Sequence, residues 1–386
     1  MRSLYVHIPF CRKACHYCGF HFSTNLSSTE RVLRSILREA ELRRNTLNYA
    51  YPQALETMYW GGGTPSLLSE ESMALLLNGL AEQFDTSKLL EFTLEANPED
   101  VSPSALAMWS KLGVTRISLG VQSVNDDFLV SMNRAHDAEQ ALSAMQQIKE
   151  HWGGDWTADL IYGYPRQSIQ DLTRDLNAIL EFEPGHFSAY QLTQEPRTAL
   201  NNQVQKGTVR MPDDERVLEL MEKLYQEAHV HGYRAYEISN FARSGSEAIH
   251  NSRYWSGEAY LGLGPSAHSY DGDCIRHWNV SHNVRYCQGV EEGRLDQTEE
   301  VLGFTEKLNE FVMIRLRLDD GLSWALLEET FGKEARLRVQ KRCSSLEPAW
   351  FVDEGNTKIA SSLRLSISGR GMADYIASSL FDDPND

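Results

Sequence analysis

Residues 4–20 read LYVHIPFCRKACHYCGF, an apolar stretch of strand character that runs directly into three cysteines spaced C-x3-C-x2-C, Cys11, Cys15 and Cys18. Three thiolates on one compact loop suit three corners of a 4Fe–4S cubane better than a tetrahedral zinc ion, which needs four ligands. The missing fourth cysteine leaves one iron open, a place for the amino and carboxylate groups of S-adenosylmethionine (SAM). Reduction of the sulfonium there would release a 5′-deoxyadenosyl radical. The alternatives are a zinc site completed by His7, His16 or His21, or three unrelated buried thiols.

That strand is the first of six. ETMYWGG (56–62), EFTLEAN (91–97), RISLGVQS (116–123), WTADLIYGY (156–164) and HFSAYQLT (186–193) follow, each trailed by a helix-like stretch. Strands alternating with helices predict a parallel sheet, closed or partly closed as a barrel. Helix boundary signals agree: Ser28 and Thr29 precede ERVLRSILREAELRR, Pro103 opens SALAMWSKL and Gly113 follows it. In such barrels the C-terminal strand ends and the loops after them form the active face. The unusual residues gather there: the cysteines after the first strand, Gly61 to Gly63 after the second, Glu95 and Asn97 at the end of the third, Gln122 on the fourth and Asp159 in the fifth.

The expected class is α/β, with a partial parallel (β/α)6 TIM-like barrel over residues 1–200. Residues 201–295 read as a connecting region that contains an aromatic and His-rich stretch. Residues 296–386 read as a smaller C-terminal α+β domain, winged-helix-like, with three helices and a short hairpin. The tail FDDPND reads as disordered.

A chain of 386 residues with 41% hydrophobic content has material for a large core plus an accessory domain. Its 54 acidic against 37 basic side chains give a formal charge of −17, which repels phosphate backbones, so nucleic acid is not expected as a partner. No apolar run reaches the roughly 20 residues of a membrane span and no secretory signal opens the chain. A cytoplasmic location is expected, with peripheral membrane contact and oligomeric state left open. Cys274, Cys287 and Cys343 lie far apart and read as free thiols.

Around the cysteines, Gly61, Gly62 and Gly63 with Thr64 and Pro65 bring bare backbone to the barrel mouth, able to meet the amino end of SAM. Glu95 can accept from ribose hydroxyls, and Gln122, Arg134 and Asp159 offer further polar contacts; structural salt bridges are the alternative for each. Further along, His250, Asn251, Arg253, Tyr254 and Trp255 form HNSRYW. Its residues alone read as a His-Asn turn with core aromatics, or as an imidazole ligand with aromatic cover for a porphyrin.

In order, HxPFCxxxCxYCxF, WGGGTPS, LEANPE, RISLGVQS and HNSRYW resemble the HemW-type radical SAM haem chaperones, relatives of oxygen-independent coproporphyrinogen III oxidase. The resemblance runs over nearly the whole chain. It implies a radical SAM barrel, a 4Fe–4S cluster on Cys11, Cys15 and Cys18, and SAM held by Tyr5, Tyr17, Gly62, Gly63, Thr64 and Glu95. In the oxidase relatives, the positions of Gln122, Arg134 and Asp159 contact a second SAM. It also implies haem bound through His250, with client apo-haemoproteins as partners, and no catalytic residue is assigned. Two departures from the oxidase favour the chaperone branch: Phe20 stands where the oxidase has a further cysteine, and only ten residues precede Cys11. Gly19 stands where many members carry Asp. The rival readings are the oxidase itself, a haem-opening methyltransferase, and a winged-helix regulator with a redox cluster.

Overall fold

The computed structural model describes residues 1–46, 54–352 and 361–382. The six expected strands form and pair in parallel in chain order: β1 (Ser3–Ile8), β2 (Thr57–Gly62), β3 (Glu91–Ala96), β4 (Arg116–Gln122), β5 (Asp155–Tyr162) and β6 (His186–Gln191). Between them run α1 (Thr29–Thr46), α2 (Glu70–Gln83), α3 (Pro103–Lys111), α4 (Asp126–Ser131), α5 (Ala138–His151) and α6 (Ile169–Leu180). Pro103 does open α3, and Ser102 caps it by accepting from the Ala105 amide.

The strands alternate with period two. Leu4, Val6 and Ile8, then Met58 and Trp60, Phe92 and Leu94, Ile117 and Leu119 all join one core with Ile36, Leu76, Leu106 and Ile148 of the helices. The intervening positions are polar: Thr93 and Glu95, Ser118, Thr157 and Asp159, His186 and Ser188. This second set faces a cavity inside the curve of the sheet. A sheet that is apolar outside and polar inside is what places a site there.

The middle region does more than connect. After α7 (Ala199–Gln205) and α8 (Asp214–Val230), β7 (Arg234–Ala235) and β8 (Asn240–Ala242) add antiparallel strands beyond β6. At the other edge, β9 (Tyr260–Leu263) pairs in parallel with β1. It is followed by antiparallel β10 (His268–Tyr270), β11 (Ile275–Asn279) and β12 (Gln297–Val301). The result is a 12-stranded sheet with β12 and β7 at its edges. The expected boundary at residue 296 therefore falls one residue before a strand of the main sheet. That strand, QTEEV, is exposed throughout and carries no apolar alternation from which to read it.

In the C-terminal region, the helix Phe304–Arg317 is followed by the helix Trp324–Cys343, which breaks at Gly332 (φ 86°). Trp350 to Val352 pairs antiparallel with Arg364 to Ser366, through the Val352 amide on the Arg364 carbonyl and the Ser366 amide on the Trp350 carbonyl. These arms flank residues outside the described set. The expectation of a disordered tail fails at Asp382, which is buried. Its amide donates to Asn309 Oδ1 at 2.7 Å and its carboxylate pairs with Arg338 and Arg342. Residues 383–386 of that tail lie outside the described residues. No helix among the described residues is long and apolar enough to cross a membrane.

Candidate functional site

A cavity of about 670 Å3 opens at the C-terminal ends of the parallel strands. Cys11, Cys15 and Cys18 all line it. Their loop is held by its own backbone: the Cys11 amide donates to Ser23 O, Ser23 N to Pro9 O, and Thr64 N to Phe10 O at 2.7 Å. Thr64 Oγ1 lies 3.6 Å from Cys11 Sγ as a donor, and Arg134 Nη1 donates to Cys15 Sγ at 3.4 Å. Burial pushes the Cys11 thiol up to about 11 and raises that of Cys18, so thiolates here call for a cation beside them.

The donor set fits a cluster better than zinc. His16 Nδ1 bonds Ser131 O, His21 Nε2 bonds Asn283 Oδ1, and His7 bonds His21 O and the Tyr5 hydroxyl, so each of these histidines is engaged by the protein. Among the described residues no three His, Cys, Asp or Glu side chains converge on one metal ion. A cubane does not ask for that, because each cysteine ligates a different iron. Gly19 packs against Glu195, whose Cβ lies 3.2 Å from where a Cβ on residue 19 would stand. An aspartate at 19 would therefore put one acid against another.

The glycines after β2 are required by close approach. A Cβ on Gly62, whose φ is +105°, would lie 2.4 Å from the His7 ring, and one on Gly63 would lie 2.6 Å from the Phe10 backbone. Gly62 N donates to Glu95 Oε2 at 2.9 Å and the Tyr59 hydroxyl to Glu95 Oε1 at 2.8 Å. Burial, with some repulsion from Asp159, lifts the Glu95 carboxyl to about 7. Each carboxylate oxygen keeps acceptor capacity for a ligand hydroxyl.

Gln122 ends β4 at φ 66°, after a break in register with β5, and lines the cavity. A non-glycine residue held in that region costs about 1–2 kcal/mol, which marks the position as one the fold maintains. Asp159 accepts from Ser118 Oγ at 2.9 Å, and burial raises its carboxyl to about 6. Tyr17 lines the wall beside Arg134. Tyr5 is not a wall residue; it stands behind, with its hydroxyl on His7 Nδ1 and its ring 6.0 Å from that of Tyr59. The sequence reading missed Tyr59, Thr93, Ser118, Arg116, His186 and Tyr190, all of which line the cavity. For four of them the signal was available: Tyr59, Thr93, Ser118 and Arg116 lie an even number of residues from Gly61, Glu95 or Gln122 along their strands, polar or aromatic within an apolar run.

HNSRYW forms a helix, α9 (Ile249–Ser256), instead of a turn. The amides of Ile249 and His250 donate to the buried Glu91 carboxylate at 2.9 and 2.8 Å, and Arg116 Nε holds the same carboxylate at 3.0 Å. His250 is 1% exposed, with Nδ1 on Thr57 Oγ1 at 2.9 Å and Nε2 on the Tyr254 hydroxyl at 2.8 Å. Burial and the nearby Arg253 lower its pKa to about 3. Arg253 is itself paired with Glu56. In this arrangement both ring nitrogens of His250, the residue expected to bind haem, are hydrogen-bonded within the protein, and it is Asn251 of the same segment that lines the cavity. His250→Ala is expected to lower stability by about 2–3 kcal/mol, through unpaired Thr57 and Tyr254 hydroxyls and a void. Thermal denaturation reads that loss.

Residues 5–179 match the model of the radical SAM superfamily, and residues 305–370 that of the HemN C-terminal domain. The heme chaperone HemW of Bacillus subtilis is 34% identical over 337 residues, 86% of this chain and 88% of the relative. The Mycobacterium tuberculosis heme chaperone HemW is 36% identical over 330 residues, 84% of each chain. This chain belongs to the HemW family. The Escherichia coli HemW, 33% identical over 322 residues, matches across 82% of both chains. Among solved structures, coproporphyrinogen III oxidase (HemN) from Escherichia coli superposes with a TM-score of 0.81 at 22% identity, covering 98% of this chain and 89% of that one. At that identity the likeness establishes a shared fold: this HemW-family chain has the radical SAM barrel and the HemN-type C-terminal domain.

Proposed function

We propose that this protein is a cytoplasmic haem chaperone that carries a 4Fe–4S cluster and SAM, takes up haem and passes it to apo-haemoproteins. The observation that carries the reading is the relation to heme chaperones HemW at 33–36% identity across more than four fifths of the chain. Cys11, Cys15 and Cys18 hold three irons. Bound there, cluster and SAM together supply one-electron chemistry at the sulfonium. Gly62, Gly63 and Thr64 present backbone and hydroxyl to the amino end of SAM, Glu95 accepts from its ribose hydroxyls, and Gln122 and Asp159 offer the further polar contacts. Phe20, 72% exposed on the cavity rim, replaces the extra cysteine of the oxidase with an apolar surface. Haem is cargo here, and the HNSRYW segment with His250 is its proposed contact.

Glu95 makes SAM affinity pH-dependent. Its carboxyl titrates at about 7, so the accepting, ionised form is lost as pH falls through that value. SAM binding to the reconstituted protein should weaken between pH 8 and pH 6. In Glu95→Gln it should be about tenfold weaker at pH 8, with only the smaller fall that Asp159 contributes near pH 6. Titration calorimetry at the two pH values checks this.

The function itself is tested by paired anaerobic assays on the reconstituted protein: haem transfer to an apo-haemoprotein, and turnover of coproporphyrinogen III with SAM. Haem transfer without decarboxylation supports the chaperone. Catalytic formation of protoporphyrinogen, or consumption of haem, replaces it with the oxidase or with a haem-modifying enzyme.

A further inference from the structure

Arg134 lines the cavity, and its guanidinium bonds to the protein around it. Nη2 donates to Asn97 Oδ1 at 2.8 Å and to Gly120 O at 2.9 Å, and Nη1 to Cys15 Sγ at 3.4 Å and the Tyr17 hydroxyl at 3.2 Å. Four of its five N–H groups are thereby used, and Nε is buried without a hydrogen-bond partner. Gly120 makes room for this arrangement, since a Cβ there would lie 3.3 Å from Nη2.

The segment that carries Arg134 is stitched to the cysteine loop. His16 N donates to Met132 O, His16 Nδ1 bonds Ser131 O, Asn133 Nδ2 donates to Ala14 O, and Lys13 Nζ to Arg134 O. Asn133 adopts φ 57° to turn the chain at this point. Arg134 and Cys15 therefore move as one body, with a permanent cation held against one particular sulfur. Behind it, burial would raise the Glu99 carboxyl, but His136 at 3.4 Å, with a smaller contribution from the Arg134 charge, holds it below the usual range.

We infer that Arg134 is a positioning residue that tunes the cluster: its charge and its hydrogen bond to Cys15 Sγ favour the reduced state. The inference rests on the reading that the three cysteines hold a 4Fe–4S cluster. Adding one electron to the cluster increases the negative charge shared by its sulfurs. A charge-assisted donor on a ligand sulfur stabilises that form more than the oxidised one and raises the reduction potential. No electron donor within the chain is implied; in the test the electron comes from dithionite.

The test is a redox titration of full-length, reconstituted protein followed by the EPR signal of the reduced cluster, after iron and sulfide content have been matched. At the potential where half of the wild-type cluster is reduced, Arg134→Met should show a reduced-to-oxidised ratio about tenfold lower, and Arg134→Lys an intermediate ratio. An unchanged midpoint in a fully loaded Arg134→Met protein overturns the inference and leaves the cluster reading intact. If Arg134→Met does not load, the loaded Arg134→Lys protein decides: a lowered midpoint supports the inference, and a midpoint equal to wild type overturns it. A wild-type protein that binds no 4Fe–4S cluster overturns both.

Discussion

Replacing any one of Cys11, Cys15 and Cys18 with serine is expected to reduce cluster loading to near zero while leaving the fold in place. With three protein thiolates and one open iron, the cubane has no spare ligand, so losing one leaves two irons without protein donors. The hydroxyl of serine is far harder to ionise than a thiol. The fold survives because the loop's shape comes from backbone contacts, Cys11 N to Ser23 O, Thr64 N to Phe10 O and Leu200 N to His16 O, and none of these uses a sulfur. Iron and acid-labile sulfide per chain after anaerobic reconstitution, measured with circular dichroism, check both halves. Serine at Cys274, Cys287 or Cys343 should leave iron content at the wild-type level, because those thiols lie outside the cavity. A single loop variant that keeps a full cluster would remove that cysteine from the ligand set.

The second large effect is expected far from the cavity. Arg43 is 1% exposed and Glu39 fully buried, four residues apart on α1, with Arg43 Nε on Glu39 Oε1 at 2.7 Å. Arg43 also donates to His277 Nε2, Asn279 Oδ1 and Gln297 Oε1. Glu39 in turn accepts from the Gly264 amide, Asn279 Nδ2 and the Tyr286 hydroxyl. This network joins the first barrel helix to the β9–β12 extension. Arg43→Ala leaves a buried carboxylate without its cation, a change that costs about 3–5 kcal/mol. Chemical denaturation should show that loss, and high salt should not abolish the wild-type contribution, since the pair is shielded from solvent. The double variant Arg43→Leu with Glu39→Met should lose less than the sum of the single changes.

His277 gives this network a pH dependence. Its Nε2 accepts from Arg43, and burial beside that cation lowers its pKa to about 4. The unfolded histidine takes a proton near 6.5 and the folded one does not, so stability falls as pH drops from about 6.5 towards 4. His277→Asn should remove up to about 1.4 kcal/mol per pH unit from the slope in that window.

What the sequence makes legible follows the reach of each interaction. The cysteine loop is local, and its spacing alone indicates ligand number. The six strands are legible because each carries its own period of two, and α3 is legible because Pro103 marks its start. Contacts between distant segments leave no such mark. The hydrogen bonding of His250 is not legible in its motif, because its partner Thr57 stands 193 residues away on β2. Glu39 and Arg43 look like an ordinary exposed helix pair until β11 and α10 (Asn283–Glu291) fold over them. The protein partners of Arg134, namely Asn97, Gly120 and Tyr17, stand 37, 14 and 117 residues from it and leave no local mark either.

The account centres on an open iron beside Cys11, Cys15 and Cys18 that takes SAM. The most direct measurement is the EPR spectrum of the reduced, reconstituted protein with and without SAM, alongside its iron and sulfide content. The expected result is about four irons and four sulfides per chain, with a cluster signal whose g-values shift when SAM is added. A fully loaded cluster whose spectrum is unmoved by saturating SAM, or a purified protein holding zinc at this loop and unable to assemble a cluster, would contradict it.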